Sequence, residues 1–298
     1  MRSREGWWVV RIRPTLFTDA DTLGRALAAE IADGIEAANS RGRRYLLGCP
    51  GGRSPMTTYA ALADQVRIRR MDLSGLVIVM MDEYVEAGPA PGSFVCVADH
   101  LAHSCRGFGR DLIAAPLSAA AGPGRGVQEE HLWVPDPADP AAYDRQLAAA
   151  GGIDLFVLAS GASDGHVAFN PPGTPADAQT RIVPLARSTR QDNLVTFPHL
   201  RILDRVPTHG VGVGVATIRK QARRAVMVVH GADKARAAAQ VAAADHYDPA
   251  WPATIVSECA RPGLYVDQAA AVGLGRGDPT HPLISRADRR HGNPATSG

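Results

Sequence analysis

"LFVLASGASDGHVAFNPPG", residues 155–173, is the stretch on which the fold turns. Ile153, Leu155, Phe156, Val157 and Leu158 form an apolar run with almost no polar alternation. A strand with one wet face would alternate, so this one is covered on both faces. The run then breaks into small residues and delivers Asp164, Gly165 and His166, followed by Asn170-Pro171-Pro172-Gly173. Three further segments repeat the pattern of apolar run and polar end. They are "RYLLGCP" (44–50) before "GGRSP", "LVIVMMDEY" (76–84), and "AVMVVHG" (225–231) before "ADK".

Helical periods lie between these runs. Leu23, Leu27, Ile31 and Ile35 stand four apart within residues 19–39, which predicts one helical face. Residues 140–150 read as a helix with Pro140 in its first turn, and residues 233–244 as another. Residues 7–13 are expected to be a first strand, 93–105 a helix, 115–126 a loop and 264–267 a last short strand. "HGVGVGVATI" (209–218) is ambiguous and lacks the third glycine of a dinucleotide-binding turn. Strands alternating with helices predict an α/β protein with an open, doubly wound, mostly parallel sheet flanked by helices, a modified Rossmann-like arrangement. No linker divides the chain, so one domain is expected over residues 1–272. From 273 to 298 the composition turns to Gly, Pro, Arg, Asp and His, and a mobile tail is expected.

The chain has 298 residues and a net charge of +2. Its basic residues are spread out, which argues against nucleic-acid and membrane-surface partners. No segment reaches the roughly 18 consecutive apolar residues of a membrane span, and no signal-peptide-like run opens the chain. A cytoplasmic protein is expected. Cys49, Cys96, Cys105 and Cys259 form no C-x-x-C pair, so reduced thiols and no metal site are expected.

In a doubly wound sheet the ligand sits beyond the carboxyl ends of the strands. After the 44–50 run, Gly51, Gly52, Arg53 and Ser54 read either as a phosphate cradle or as a tight strand-to-helix turn. Ser54 is suited to N-cap the helix and Pro55 to open it. A cradle would use backbone N–H groups freed by the glycines. Asp82 and Glu83 end the third run. One of them either faces a cleft, where apolar surroundings raise a carboxylate's pKa, or both are solvated. Asp164 and His166 supply either an oriented acid–base pair or a solvated loop. Lys234 stands near a helix start and reads by itself as a surface lysine.

Taken in order, "PGGRSPMTTYAAL", "MMDEYV", "GSFVCVADHL", "GIDLFVLASGASDGHVAFNPPG", "TRIVPLARSTRQDN", "VGVGVAT" and "HGADKARAAAQ" resemble the glucosamine-6-phosphate deaminase/isomerase family over about residues 46–267. The related 6-phosphogluconolactonases share the glycine loop and the Asp-Gly-His block. The resemblance implies isomerisation of an amino sugar phosphate with loss of ammonia and no cofactor. It implies that Asp82 carries a proton between C1 and C2, that His166 with Asp164 opens the sugar ring, and that Gly51, Gly52, Ser54 and Lys234 bind phosphate. Assemblies occur in the family, so a homo-oligomer stays open. The alternatives are a sugar-phosphate lactonase or a sugar-phosphate-binding protein without that chemistry.

This chain departs from the family pattern at two places. Pro171 stands where the deaminases carry a Glu that sets the charge of the ring-opening histidine. Val195 stands where they carry a phosphate-binding Arg. Arg53, or the basic run Arg219, Lys220, Arg223 and Arg224, is expected to restore a cation. Arg181 matches an effector-binding position, but Val183 replaces a basic residue of allosteric members, so weak or no such control is expected.

Overall fold

A computed structural model describes residues 11–274. Among the described residues the strands are β1 (Pro14–Phe17), β2 (Tyr45–Cys49), β3 (Leu76–Met80), β4 (Asp82–Ala87), β5 (Phe94–Cys96), β6 (Leu132–Trp133), β7 (Leu155–Ala159), β8 (Arg181–Pro184), β9 (His209–Gly212), β10 (Ala225–Val229) and β11 (Pro262–Asp267). The α-helices are α1 (Ala20–Asn39), α2 (Met56–Arg69), α3 (Cys105–Phe108), α4 (Ala115–Ala121), α5 (Pro140–Ala149), α6 (Arg187–Thr196), α7 (Val215–Gln221), α8 (Ala235–Ala243) and α9 (Gln268–Ala271). No described helix is long and apolar enough to cross a membrane.

Seven strands form one sheet in the order β1-β11-β10-β7-β2-β3-β6, and every pairing in it is parallel. The alternation of strand side chains sorts each apolar run into two cores. Leu46, Val77, Val79, Phe156, Leu158 and Met227 pack on one face with residues of α5, α7 and α8. Leu47, Ile78, Met80, Leu155, Val157 and Val228 pack on the other with residues of α1, α2 and α4. Both faces are therefore covered, as the unbroken apolar runs require. On α1, the spacing of Leu23, Leu27, Ile31 and Ile35 buries all four. Asp19 caps that helix by accepting from the Thr22 amide at 2.6 Å.

A second sheet, antiparallel throughout, has the order β5-β4-β9-β8 and was not foreseen in the sequence. The run at 76–84 is two strands rather than one. The chain leaves the parallel sheet at Met80 and enters the antiparallel one at Asp82. Met81 alone lies between them, and its carbonyl accepts from Val213 N at 2.8 Å. Glu83 fixes this corner. Its carboxylate accepts hydrogen bonds from the Tyr84 amide, the Ser104 hydroxyl, the Cys105 amide and the Arg106 amide, at 2.7–3.0 Å. Burial raises its pKa and those hydrogen bonds pull it back down, with the rise prevailing.

Other expectations need correction. Residues 7–10 lie outside the described residues, and the first described strand begins at Pro14. Residues 93–105 are not a helix: Phe94–Cys96 pairs with β4 and helix begins only at Cys105. The stretch 115–126 is not all loop, since Ala115–Ala121 is helical. This helix continues from α3 through a π-helical stretch at Gly109–Ala114, just before Pro116. Nearly all of the expected tail, from residue 275, lies outside the described residues.

Glu83→Ala leaves one buried hydroxyl and three amides without their acceptor. It is expected to lower the unfolding free energy by about 3 kcal/mol, read by urea denaturation. A loss below about 1 kcal/mol would place the anchoring of this corner elsewhere.

Candidate functional site

β2 and β7 are neighbours in the sheet, and the chain winds away from them in opposite directions. Ligands of doubly wound sheets lie outside the carboxyl ends of strands at such a point. A cavity of about 570 Å³ opens there. Gly51, Gly52, Arg53 and Ser54 after β2, Asp82 after β3, His166 after β7, and Lys234 after β10 all line it. Of the residues singled out in the sequence, Asp164 lies just behind this lining, bonded to His166.

The glycine loop leads into α2. Gly52 has φ +81°, a left-handed conformation that glycine adopts without strain. A Cβ at Gly51 or Gly52 would meet nothing, so both backbones face open space. Ser54 is not the N-cap. Pro55 holds that position with no side-chain cap, and the Ser54 carbonyl accepts from His230 Nε2 at 2.8 Å. Lys234 Nζ donates to the Ser160 carbonyl at 2.6 Å. Burial lowers its pKa, the carboxylates of Asp233, Asp192 and Asp164 raise it, and the cation of Arg53 lowers it. Arg53 and Lys234 therefore feel each other at the same end of the cavity.

The basic run on and after α7 does not reach this place, contrary to one expectation. Arg219 pairs with Glu258 at 2.8 Å, Arg223 with Asp154 at 3.2 Å, and Arg224 with Glu30 at 2.5 Å. None of these three, nor Lys220, lines the cavity. Val195 does, and is 62% exposed.

Asp82 faces the cavity, whereas Glu83, one residue on, points away into its anchor. The choice between the two acids is thus made by the pleat and by the partners waiting for Glu83. Burial pushes the Asp82 carboxyl up to about 7. The Cys105 thiol, 3.4 Å from Oδ1, works against that rise, the charge of Glu83 adds to it, and His166 opposes it.

His166 Nδ1 lies 2.7 Å from Asp164 Oδ1, which also accepts from the His166 amide at 3.1 Å. Ser188 Oγ donates to Asp164 Oδ2 at 2.5 Å. Burial would raise the Asp164 pKa, but the hydrogen bond and charge of His166, with the Ser188 bond, hold it well below the usual range. An ionised Asp164 accepts, so Nδ1 carries the proton and Nε2 is left as the basic nitrogen. No described residue hydrogen-bonds Nε2. A Cβ at Gly161 would collide with both Asp164 and His166, so only glycine lets this turn close over the pair. Pro171 lies outside the cavity wall, its carbonyl taken by Thr174. Arg181 is bound to Asn170 Oδ1 at 2.9 Å.

Ser188, Thr189, Asp192 and Cys105 also belong to this neighbourhood and were not singled out in the sequence. The first three lie on α6, within the "TRIVPLARSTRQDN" block, but no local spacing sets them apart. His103 Nδ1, in a residue that lines the cavity, is buried without a partner among the described residues. Buried polar atoms are rarely left so, which suits a cavity completed by a polar ligand.

The Asp82 carboxyl, at about 7, titrates above its ordinary 3.8. The folded protein keeps a proton that the unfolded chain gives up, so stability falls as pH rises from about 4 through 7. Asp82→Asn is therefore expected to be more stable than wild type at pH 8, on the order of 2–4 kcal/mol. The difference should vanish near pH 4. Denaturant titrations at the two pH values check this, and a pH-independent difference would contradict it.

Comparison with known proteins agrees with this architecture. A family model described as glucosamine-6-phosphate isomerases/6-phosphogluconolactonase matches residues 18–264. A glucosamine-6-phosphate deaminase of Beutenbergia cavernae is 35% identical over 253 residues, which are 84% of this chain and 90% of the relative. One of Mycolicibacterium smegmatis is 33% identical, over 82% and 87% of the two chains. Among solved structures, a monomeric glucosamine-6-phosphate deaminase superposes with a TM-score of 0.74 at 22% identity, covering 88% of this chain and 99% of its own. The 6-phosphogluconolactonase from Trypanosoma cruzi gives 0.64 at 15%, covering 89% and 98%. The chain belongs to the glucosamine-6-phosphate isomerase/6-phosphogluconolactonase family of enzymes.

Proposed function

We propose that the protein isomerises and deaminates an amino sugar phosphate, glucosamine 6-phosphate or a close analogue, releasing ammonia. The observation that carries this is the convergence of Asp82 and the Asp164–His166 pair on one cavity that also holds an open glycine loop with Arg53 and Lys234. Relatives named glucosamine-6-phosphate deaminase, at 33–35% identity over most of both chains, support it.

In this mechanism His166 Nε2 takes the proton of the C1 hydroxyl and returns one to the ring oxygen, opening the ring. Asp164 keeps the imidazole in the required tautomer and stabilises its charged form. Asp82, ionised, removes the C2 proton and delivers it to C1. Its raised pKa suits both giving and taking a proton near neutrality. In the same tautomerisation O1 gains a proton and the amine nitrogen loses one, leaving an imine at C2. Water adds to that C=N bond, which breaks to release ammonia and a ketose phosphate. Asp164 and Ser188 orient His166 without the Glu that Pro171 replaces. Gly51, Gly52, Ser54, Arg53 and Lys234 bind the phosphate, with Arg53 standing in for the arginine missing at Val195. These steps call for no metal or organic cofactor.

The test is ammonia and ketose-phosphate release from glucosamine 6-phosphate by the purified protein. Turnover is expected, with Asp82→Asn slowing it at least about 100-fold, the scale of a lost acid–base group. Hydrolysis of 6-phosphogluconolactone without ammonia release would assign the lactonase reaction instead. Binding without either turnover would leave a sugar-phosphate-binding protein. Arg53→Ala is expected to raise KM for the phosphosugar about tenfold with kcat little changed, as for a lost charge-assisted contact to a group that does not react. An unchanged KM would remove Arg53 from the phosphate site.

A further inference from the structure

Cys105 opens α3, is buried, and places its Sγ 3.4 Å from Asp82 Oδ1. We propose that Cys105 is a positioning residue, whose thiol, placed by the Glu83 anchor, donates to Asp82, favours its ionised form and keeps it facing the cavity. Asp82 acting as the proton carrier, as proposed above, is the premise on which its catalytic importance rests.

The geometry comes from one short contact between β4 and α3. Glu83 accepts from the backbone amide of Cys105 at 2.8 Å, while the side chain of the same cysteine reaches Asp82. Two adjacent acids on opposite sides of a strand thus meet the backbone and the side chain of one residue. The bonds from Ser104, Cys105 and Arg106 to Glu83 fix the backbone from which the thiol reaches Asp82. Burial, with Glu83 and Asp82 nearby, pushes the thiol pKa well above its ordinary value. The sulfur therefore stays protonated. It is a donor here and not a nucleophile.

The other groups around Asp82 do different things. Glu83, on its own strand, repels a second charge, and His166, after β7, attracts one. Tyr84 on β4 and Tyr143 on α5 feel the Asp82 charge, but the Tyr143 hydroxyl is committed to the Met80 and Trp133 carbonyls. Among the described residues the thiol is the one side-chain hydrogen bond that Asp82 receives. A donor to the charged form favours that form, so its removal moves ionisation to higher pH.

The experiment compares full-length wild type, Cys105→Ala and Cys105→Ser. One readout is the pH dependence of kcat/KM for ammonia release from glucosamine 6-phosphate. The other is carbon NMR titration of carboxyl-labelled aspartate, with Asp82 identified by the signal lost in Asp82→Asn. Cys105→Ala is expected to raise the Asp82 midpoint by roughly half to one pH unit, lowering kcat/KM on the acid side about three- to tenfold while sparing the alkaline plateau. Cys105→Ser, which restores a donor, should bring the midpoint back to wild type or below. A midpoint unmoved by Cys105→Ala, or no recovery with serine, overturns the proposal. If Cys105→Ala does not fold, an upward shift in Cys105→Ser overturns it. If the midpoint moves as expected but no variant releases ammonia, the thiol–carboxylate link stands and the deaminase reading fails.

Discussion

The buried carboxylate of Glu83 is the constraint on which the site depends. It collects four hydrogen bonds, three of them from residues 104–106, and so ties the first strand of the antiparallel sheet to a helix start. Four donors around one carboxylate compensate much of the cost of burying a charge. With Glu83 committed there, strand pleating leaves Asp82 the opposite direction, into the cavity. Asp82 has no comparable set of donors, and that difference separates the two acids.

A second separation distinguishes Asp82 from Asp164. Asp82 lines the cavity and Asp164 stands behind its lining, yet burial drives the first up to about 7, and His166 with Ser188 holds the second far down. Environments that push two carboxyl groups apart let one exchange protons while the other stays charged. The charges beside the glycine loop are less one-sided. Arg53 and Lys234 face it, but Asp192 also lines the wall and Asp233 lies beside them. Two cations and two carboxylates thus stand together beside the open backbone of Gly51 and Gly52.

The parallel sheet was legible because burial on both faces leaves an unmistakable mark: runs such as Leu155–Ala159 with no polar alternation. The cavity was legible for the same reason, since each run ends where ligands of such sheets bind. The antiparallel sheet was not. Its strands are short, two of its β9 positions are glycines, and β4 continues β3 with only Met81 between, so local pattern merges the two. The helix expected over 93–105 failed because pairing with β4 decided Phe94–Cys96, and pairing is not a local property. Ser188 and Cys105 were missed because their importance comes from what they touch across the fold. The cation sought in Arg219–Arg224 was misplaced because charge in a sequence does not reveal its partner, and Glu258, Asp154 and Glu30 had taken those guanidinium groups.

The sheet order has a consequence for how the protein comes to exist. β2 pairs with β7, more than a third of the chain later, and β10 and β11 lie outside β7. The glycine loop is synthesised early, the imidazole midway and Lys234 near the end, and no pair of them belongs to one hairpin or one helix pair. Such non-local closure is slow, and on a ribosome the first half of the chain must wait with its β2 edge unpaired. An exposed edge of that kind invites pairing with another chain. The arrangement that gathers the site at one crevice therefore also makes the half-made protein the most aggregation-prone form of this molecule, and the hour of greatest risk falls before β7 has left the ribosome.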